Sequence, residues 1–172
     1  MLAAGREVSV FFFNPNIYPQ SEFEKRLGEQ RRLLAELSER VLRSDSSAAP
    51  IELIAPEYDH AAFLDVARGL EAEPEEGERC RRCFSLRMDA AARLAAERDF
   101  DAVTSTITTG PRKRSADVNA AGQAAAERHG VAWFAEDFKK RDGFKRSIEL
   151  SREFALYRQT YCGCEFSFRV AK

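Results

Sequence analysis

The sequence predicts an α/β fold: a single domain built on a mostly parallel sheet with helices on both faces. Three observations predict it. Compact strand-like apolar runs alternate with amphipathic helical stretches along the chain. Parallel neighbours need a crossover connection, and helices of this length supply one. Finally, 172 residues with 44% hydrophobic content suffice for one well-buried core and are too few for two ordinary domains.

The first element is a buried strand over residues 7–14, where Val8 and Val10 precede three consecutive phenylalanines and Asn14-Pro15-Asn16 closes the run with turn chemistry. Ser21-Glu22-Phe23-Glu24 matches a capping box, and Phe23, Leu27, Leu33, Leu34, Leu37 and Val41 keep a helical period, so a long amphipathic helix is expected to about Arg43. Residues 44–50 form a polar linker. A second strand over 51–54 and a helix over 61–70 follow. The acidic run Glu71, Glu73, Glu75, Glu76 and Glu78 is most simply a solvated loop leading to Cys80. Next come an alanine-rich helix over 84–98, with the first cysteine pair at its start, and a strand over 102–107. A helix over 115–129, a short strand over 131–134 and a helix over 143–154 complete the order. Ligands in such folds collect at the carboxyl ends of strands, so the loops beginning at Asn14, Pro56 and Thr108 rank as site candidates. Leu2-Ala3-Ala4-Gly5 has the composition of a helix's last turn, from which an N-terminally truncated domain with an earlier strand is expected.

Charge is nearly balanced, 27 basic residues against 28 acidic, so there is no global drive toward nucleic acid; any such surface must be a local patch. The longest apolar run falls far short of the roughly 20 residues that span a bilayer. No membrane association is therefore expected. No secretory signal pattern opens the chain, which makes cytoplasmic residence the default.

Four cysteines form two close pairs, Cys80-Arg81-Arg82-Cys83 and Cys162-Gly163-Cys164. In a reducing compartment such pairs point to metal or redox chemistry before structural disulfides. Cys80 and Cys83, three positions apart at a helix start, can reach one metal or cluster. The helix amides and Arg79, Arg81 and Arg82 would lower their thiol pKa. Cys162 and Cys164 could form a strained, labile disulfide suited to electron transfer. The plainer reading makes all four cysteines the ligands of one zinc ion. Arg112 and Lys113, with Lys139, Lys140, Lys145 and Arg146, are candidate phosphate contacts, and neighbouring aromatics suit unstacked bases of a tRNA loop. A solvated helix face is the alternative. His60 and His129 lack spaced partners and read as surface or capping residues, while spacing does not choose among Glu136, Asp137 and Asp142 as an acid or metal contact.

Four blocks together resemble the epoxyqueuosine reductase family QueH. They are Phe12-Phe13-Asn14-Pro15-Asn16-Ile17 with Glu24-Lys25-Arg26; Gly69-Leu70-Glu71 through Arg79-Cys80-Arg81-Arg82-Cys83-Phe84 to Leu86-Arg87; Asp137-Phe138-Lys139-Lys140 with Asp142-Gly143-Phe144-Lys145-Arg146-Ser147; and Leu156-Tyr157-Arg158-Gln159 through Tyr161-Cys162-Gly163-Cys164. Gly110-Pro111-Arg112 stands where Ser-Pro-His is usual. The resemblance implies a Rossmann-like fold of the adenine-nucleotide-hydrolase (HUP) kind and reduction of epoxyqueuosine to queuosine at the wobble position of tRNA, with an electron donor still to be identified. It also implies a four-iron, four-sulfur (4Fe-4S) cluster ligated by Cys80, Cys83 and an adjacent Cys-Cys that this sequence does not contain. Cys162 and Cys164 would be its redox-active disulfide. A second, mononuclear metal ion beside the cluster is left open. Two other readings compete. One is an ATP-dependent tRNA-thiolating enzyme, which needs a phosphate loop that is not visible here; the other is a non-catalytic RNA-binding module with four-cysteine zinc.

Overall fold

The computed structural model describes residues 7–168; the helix tail expected at Met1 to Gly5 lies outside the described residues. The element order is β1 (Ser9–Phe11), α1 (Gln20–Ser44), β2 (Glu52–Ile54), α2 (His60–Ala67), α3 (Glu78–Glu97), β3 (Ala102–Val103), α4 (Ser115–His129), β4 (Ala132–Trp133) and α5 (Gly143–Glu153). The fold is α/β, as the alternation predicts. Its pairing is more divided than expected. β1 pairs with β2 and β3 with β4, both parallel, and the described strands form these two ladders rather than one sheet.

Each ladder is built by its own helices. In the first, Phe12 turns toward α1 and meets the Phe23 ring edge-on at 5.5 Å, while Phe11 and Phe13 stack on the opposite side at 5.7 Å. This alternation follows from the period-2 geometry of a strand. It leaves Ser9 to Phe11 half-buried, where the sequence suggested a buried strand. Ile17, Phe23 and Leu27 form the core beneath, packed by Phe12, Leu53 and Tyr58. In the second, α3 and α4 bury Phe84, Met88, Ala92, Val118 and Ala125 against Val103, Ile107 and Trp133. The alanines and Gly122 let the backbones approach; a Cβ on Gly122 would come within 2.3 Å of the Trp133 ring.

Several boundaries differ from expectation for identifiable reasons. The helix expected to be capped by Ser21 starts earlier, behind Pro19, whose carbonyl accepts the Glu22 and Phe23 amides, and no side-chain cap is made. The capping-box match is therefore unused. The strand expected over 102–107 stops at Val103, because Ser105 accepts the Ile107 amide through its side chain and turns the chain into a 3₁₀ segment, Thr106–Thr109. Asp59 caps α2 by accepting from the Ala62 amide at 3.1 Å. α4 ends at His129 as predicted, and the structure adds a cap there, Gly130 in the left-handed region. Among the described residues no helix is long and apolar enough to cross a membrane.

Candidate functional site

The loops at the carboxyl ends of β1, β2 and β3 converge on the two cysteine pairs. α3 begins at Glu78, six residues before the predicted start, so Cys80 and Cys83 lie on its first two turns. Its N-terminus is fixed by the acidic loop. Glu73 accepts the Glu78 amide at 3.1 Å, and Arg79, only 2% exposed, directs one guanidinium nitrogen at the carbonyls of Leu70, Glu71 and Glu73. A buried guanidinium is tolerated only when carbonyls or carboxylates surround it. The run expected to be a plain solvated loop is thus a folded collar. Glu76, with φ of 73°, turns its amide onto the Cys80 sulfur at 3.3 Å.

The arginines beside the pair do not act as the sequence suggested. Arg79 faces the collar, and Arg81 and Arg82 are about half-exposed and paired with Glu78. Burial pushes the Cys83 thiol up to about 12, with Arg87 opposing, rather than down. Cys83 packs with Cys164, Phe63 and Ala67 in one buried cluster, so residues 81 positions apart in sequence share a site.

The second pair sits in a loop held from many directions. Arg26 donates to the carbonyls of Cys162 at 3.2 Å and Tyr161 at 3.4 Å and is ion-paired with Glu22 at 2.7 Å. The Tyr18 amide donates to the Gly163 carbonyl at 2.9 Å, and the Tyr161 hydroxyl donates to the Tyr18 carbonyl. Gly163 has φ of +110°, and a Cβ there would meet Ile17 at 2.9 Å and Arg26 at 3.0 Å. Only glycine accepts that backbone and that proximity. All four cysteines are free thiols.

Two side chains tie this loop to the rest of the site, and neither was assigned that role from sequence. His60, expected on the surface, is half-buried between the rings of Tyr18, Tyr58 and Phe63. Its Nδ1 lies 2.7 Å from the Pro15 carbonyl and its Nε2 lies 2.8 Å from Glu165 Oε1. The carbonyl can only accept, so Nδ1 donates, and a proton must lie between Nε2 and the carboxyl group for the second contact to be a hydrogen bond. Lys113 is the other. Its ammonium donates to Cys162 Sγ at 3.2 Å and to Glu75 at 2.8 Å, and it lines one cleft with Cys80 and Phe84.

The basic residues named from sequence divide into two groups. Lys113 and Lys139 point inward; Lys139 reaches the carbonyls of Thr108 and Lys113 and the Asp137 carboxylate, stapling two loops. Arg112, Lys140, Lys145 and Arg146 are exposed, Arg146 pairing with Glu149 and Glu153. Asp137 serves this staple. Burial raises its carboxyl pKa, but hydrogen bonds from Ser115 and Lys139 outweigh that and hold it below the usual range, which makes it a poor proton donor at neutral pH. Asp142 is exposed at the start of α5, and the Glu136 carbonyl accepts from Asn119. His129, which ends α4, meets Asp89 of α3 at 3.0 Å.

Among the described residues no group of three or more His, Cys, Asp or Glu side chains is arranged to hold a metal ion. The four-cysteine zinc site is therefore not assembled. By the same test Cys80 and Cys83 supply two of the four thiolates that an iron–sulfur cluster ordinarily takes, and do not fit the whole group by themselves.

The family model for epoxyqueuosine reductase QueH matches residues 1–170. The chain belongs to the QueH family. Similar relatives, each named epoxyqueuosine reductase QueH, occur in Staphylococcus epidermidis (34% identity over 94% of this chain and 66% of the relative), Streptococcus pyogenes (32%, over 95% and 62%) and Helicobacter pylori (36%, over 98% and 44%). The chain thus spans between 44% and 66% of the length of these relatives. The four blocks singled out in the sequence, which carry both cysteine pairs and the Asn14 loop, lie within the matched region.

Proposed function

We propose that this chain is an oxidoreductase that reduces epoxyqueuosine to queuosine in tRNA, with Cys162 and Cys164 as its redox pair. The observation that carries the reading is the convergence of the two cysteine pairs: Cys83 and Cys164 share one buried cluster, and Lys113 lies against both Cys162 and the Cys80 cleft. Removing an epoxide oxygen as water consumes two electrons and two protons and leaves an alkene. Oxidation of two thiols to a disulfide yields two electrons and two protons, so the pair balances the reaction. An external donor must then restore the thiols.

Cys80 and Cys83 would hold two positions of a four-iron, four-sulfur cluster, with the other ligands coming from outside this pair. Such a cluster, when bound, would supply low-potential single electrons. Among the candidate phosphate contacts, Arg112, Lys140, Lys145 and Arg146 are exposed and would meet tRNA, while Lys113 and Lys139 would shape the site behind them. The balanced overall charge makes such binding local and strongly salt-dependent.

The test is anaerobic incubation of epoxyqueuosine-containing tRNA with iron- and sulfide-reconstituted protein and a strong reductant, followed by mass spectrometry of the nucleoside. Loss of one oxygen mass, abolished by Cys162→Ala and by Cys80→Ala, is expected. Undiminished activity in Cys162→Ala would remove the redox pair from the reaction. Inactive protein that binds tRNA and holds zinc would favour the RNA-binding reading.

A further inference from the structure

The two sulfurs of the Cys162-Gly163-Cys164 loop have unlike surroundings. Cys162 is half-buried and reachable, and its sulfur accepts from the Lys113 ammonium at 3.2 Å. That ammonium is held in place by Glu75 at 2.8 Å, both side chains being about 15% exposed. Cys164 is 7% exposed and packed against Phe63, Ala67 and Cys83. We propose that Lys113 is a positioning residue that makes Cys162 the attacking sulfur of the pair and leaves Cys164 to resolve the mixed disulfide.

The argument is one of charge and access. An ammonium can only donate, so at 3.2 Å Lys113 holds the Cys162 sulfur as its acceptor and faces that sulfur with positive charge as it attacks. Cys164, buried among Phe63, Ala67 and Cys83, offers an incoming disulfide no comparable access. Lys113 remains cationic throughout the relevant range: burial works against its charge, but Cys162 and Glu75 together raise its pKa. In exchange with a small aliphatic disulfide, the Cys162 thiolate bonds to one sulfur and expels the other as a thiolate. Cys164 then loses its proton to solvent, attacks the Cys162 sulfur and releases the second thiolate. The pair is oxidised by two electrons, and the small disulfide is reduced to two thiols. This deepens the redox-pair reading and rests on it.

The test is alkylation, in which each thiolate forms a carbon–sulfur bond and iodide leaves. Fully reduced protein is treated briefly with iodoacetamide from pH 6 to 10, and the four cysteines are followed separately by peptide mass spectrometry. Cys162 is expected to react at least ~10-fold faster than Cys164 at pH 7. Lys113→Met is expected to slow Cys162 about tenfold at pH 7 and move its profile up by about one pH unit, with the high-pH plateau unchanged. Lys113→Arg is expected to restore the profile, which a purely structural role would not predict. Cys164 reacting as fast as Cys162 in the unaltered protein, or a Cys162 profile that Lys113→Met leaves in place, overturns the proposal. If the Met variant fails to unfold cooperatively, the comparison of the two sulfurs in the unaltered protein decides alone. No tRNA takes part, so failure here leaves the epoxyqueuosine reading standing, and failure of that assay leaves the order of the sulfurs standing.

Discussion

The two cysteine pairs are held by opposite means. Cys80 and Cys83 are positioned by one helix: their separation is fixed by α3, whose start is set by residues 70–77 immediately before it. The Cys162-Gly163-Cys164 loop has no regular structure of its own and is clasped by residues 18, 26 and 113, all distant in sequence. A locally built site tolerates change in its neighbours. A site built by distant contacts depends on each of them.

This contrast can be tested by substitution. The largest effect is expected from Gly163→Ala, which places a Cβ against Ile17 and Arg26 on a backbone at φ +110°. A loss of ~2–3 kcal/mol in urea unfolding is expected, with the positions of Cys162 and Cys164 disturbed as well. Arg26→Ala removes two carbonyl contacts and the partner of the poorly exposed Glu22. It should lose ~1–2 kcal/mol and make Cys162 and Cys164 similarly reactive toward alkylation. Cys83 gives a pH test. Its folded pKa is raised to about 12, so the protonated thiol stabilises the fold fully below the unfolded value near ~8.5 and that contribution is lost as pH rises above it. Between pH 8 and 10 the unaltered protein should lose ~1–2 kcal/mol more than Cys83→Ser in paired urea titrations. Equal losses would show that the thiol is not buried. Arg81→Ala, beside the helical pair, removes an ion pair with both side chains nearly half-exposed and should change stability by less than ~0.5 kcal/mol. An effect as large as that of Arg26→Ala would erase the distinction between the regions.

The same contrast explains what could be read from sequence. Spacing identifies Cys80 and Cys83 as neighbours because a helix converts three positions into one face. The helices were legible from periodicity, and α4 down to its last residue. The strands were overextended because a side chain, Ser105, ends one of them, and a propensity pattern does not foresee that hydrogen bond. Arg26 appears in sequence as one more cation on an amphipathic helix, and His60 as a single histidine without a partner at any telling distance. Their partners, Tyr161, Cys162, Pro15 and Glu165, are set by tertiary structure alone. Lys113 was found by charge and assigned to phosphate, since nothing within a few residues announces the Cys162 sulfur 49 positions on.

The clasp around Gly163 also orders events in time. During synthesis the helix bearing Cys80 and Cys83 leaves the ribosome well before residues 161–165 have been joined to the chain, whereas Arg26, Tyr18 and His60 wait for partners made much later than themselves. Chains fold progressively as they emerge, so the nascent protein passes through a stage in which one pair of thiols is already in place and the other does not yet exist. The arrival of the second pair joins loops far apart in sequence, and until then a metal or oxidant meets Cys80 and Cys83 without the residues that later share their cluster.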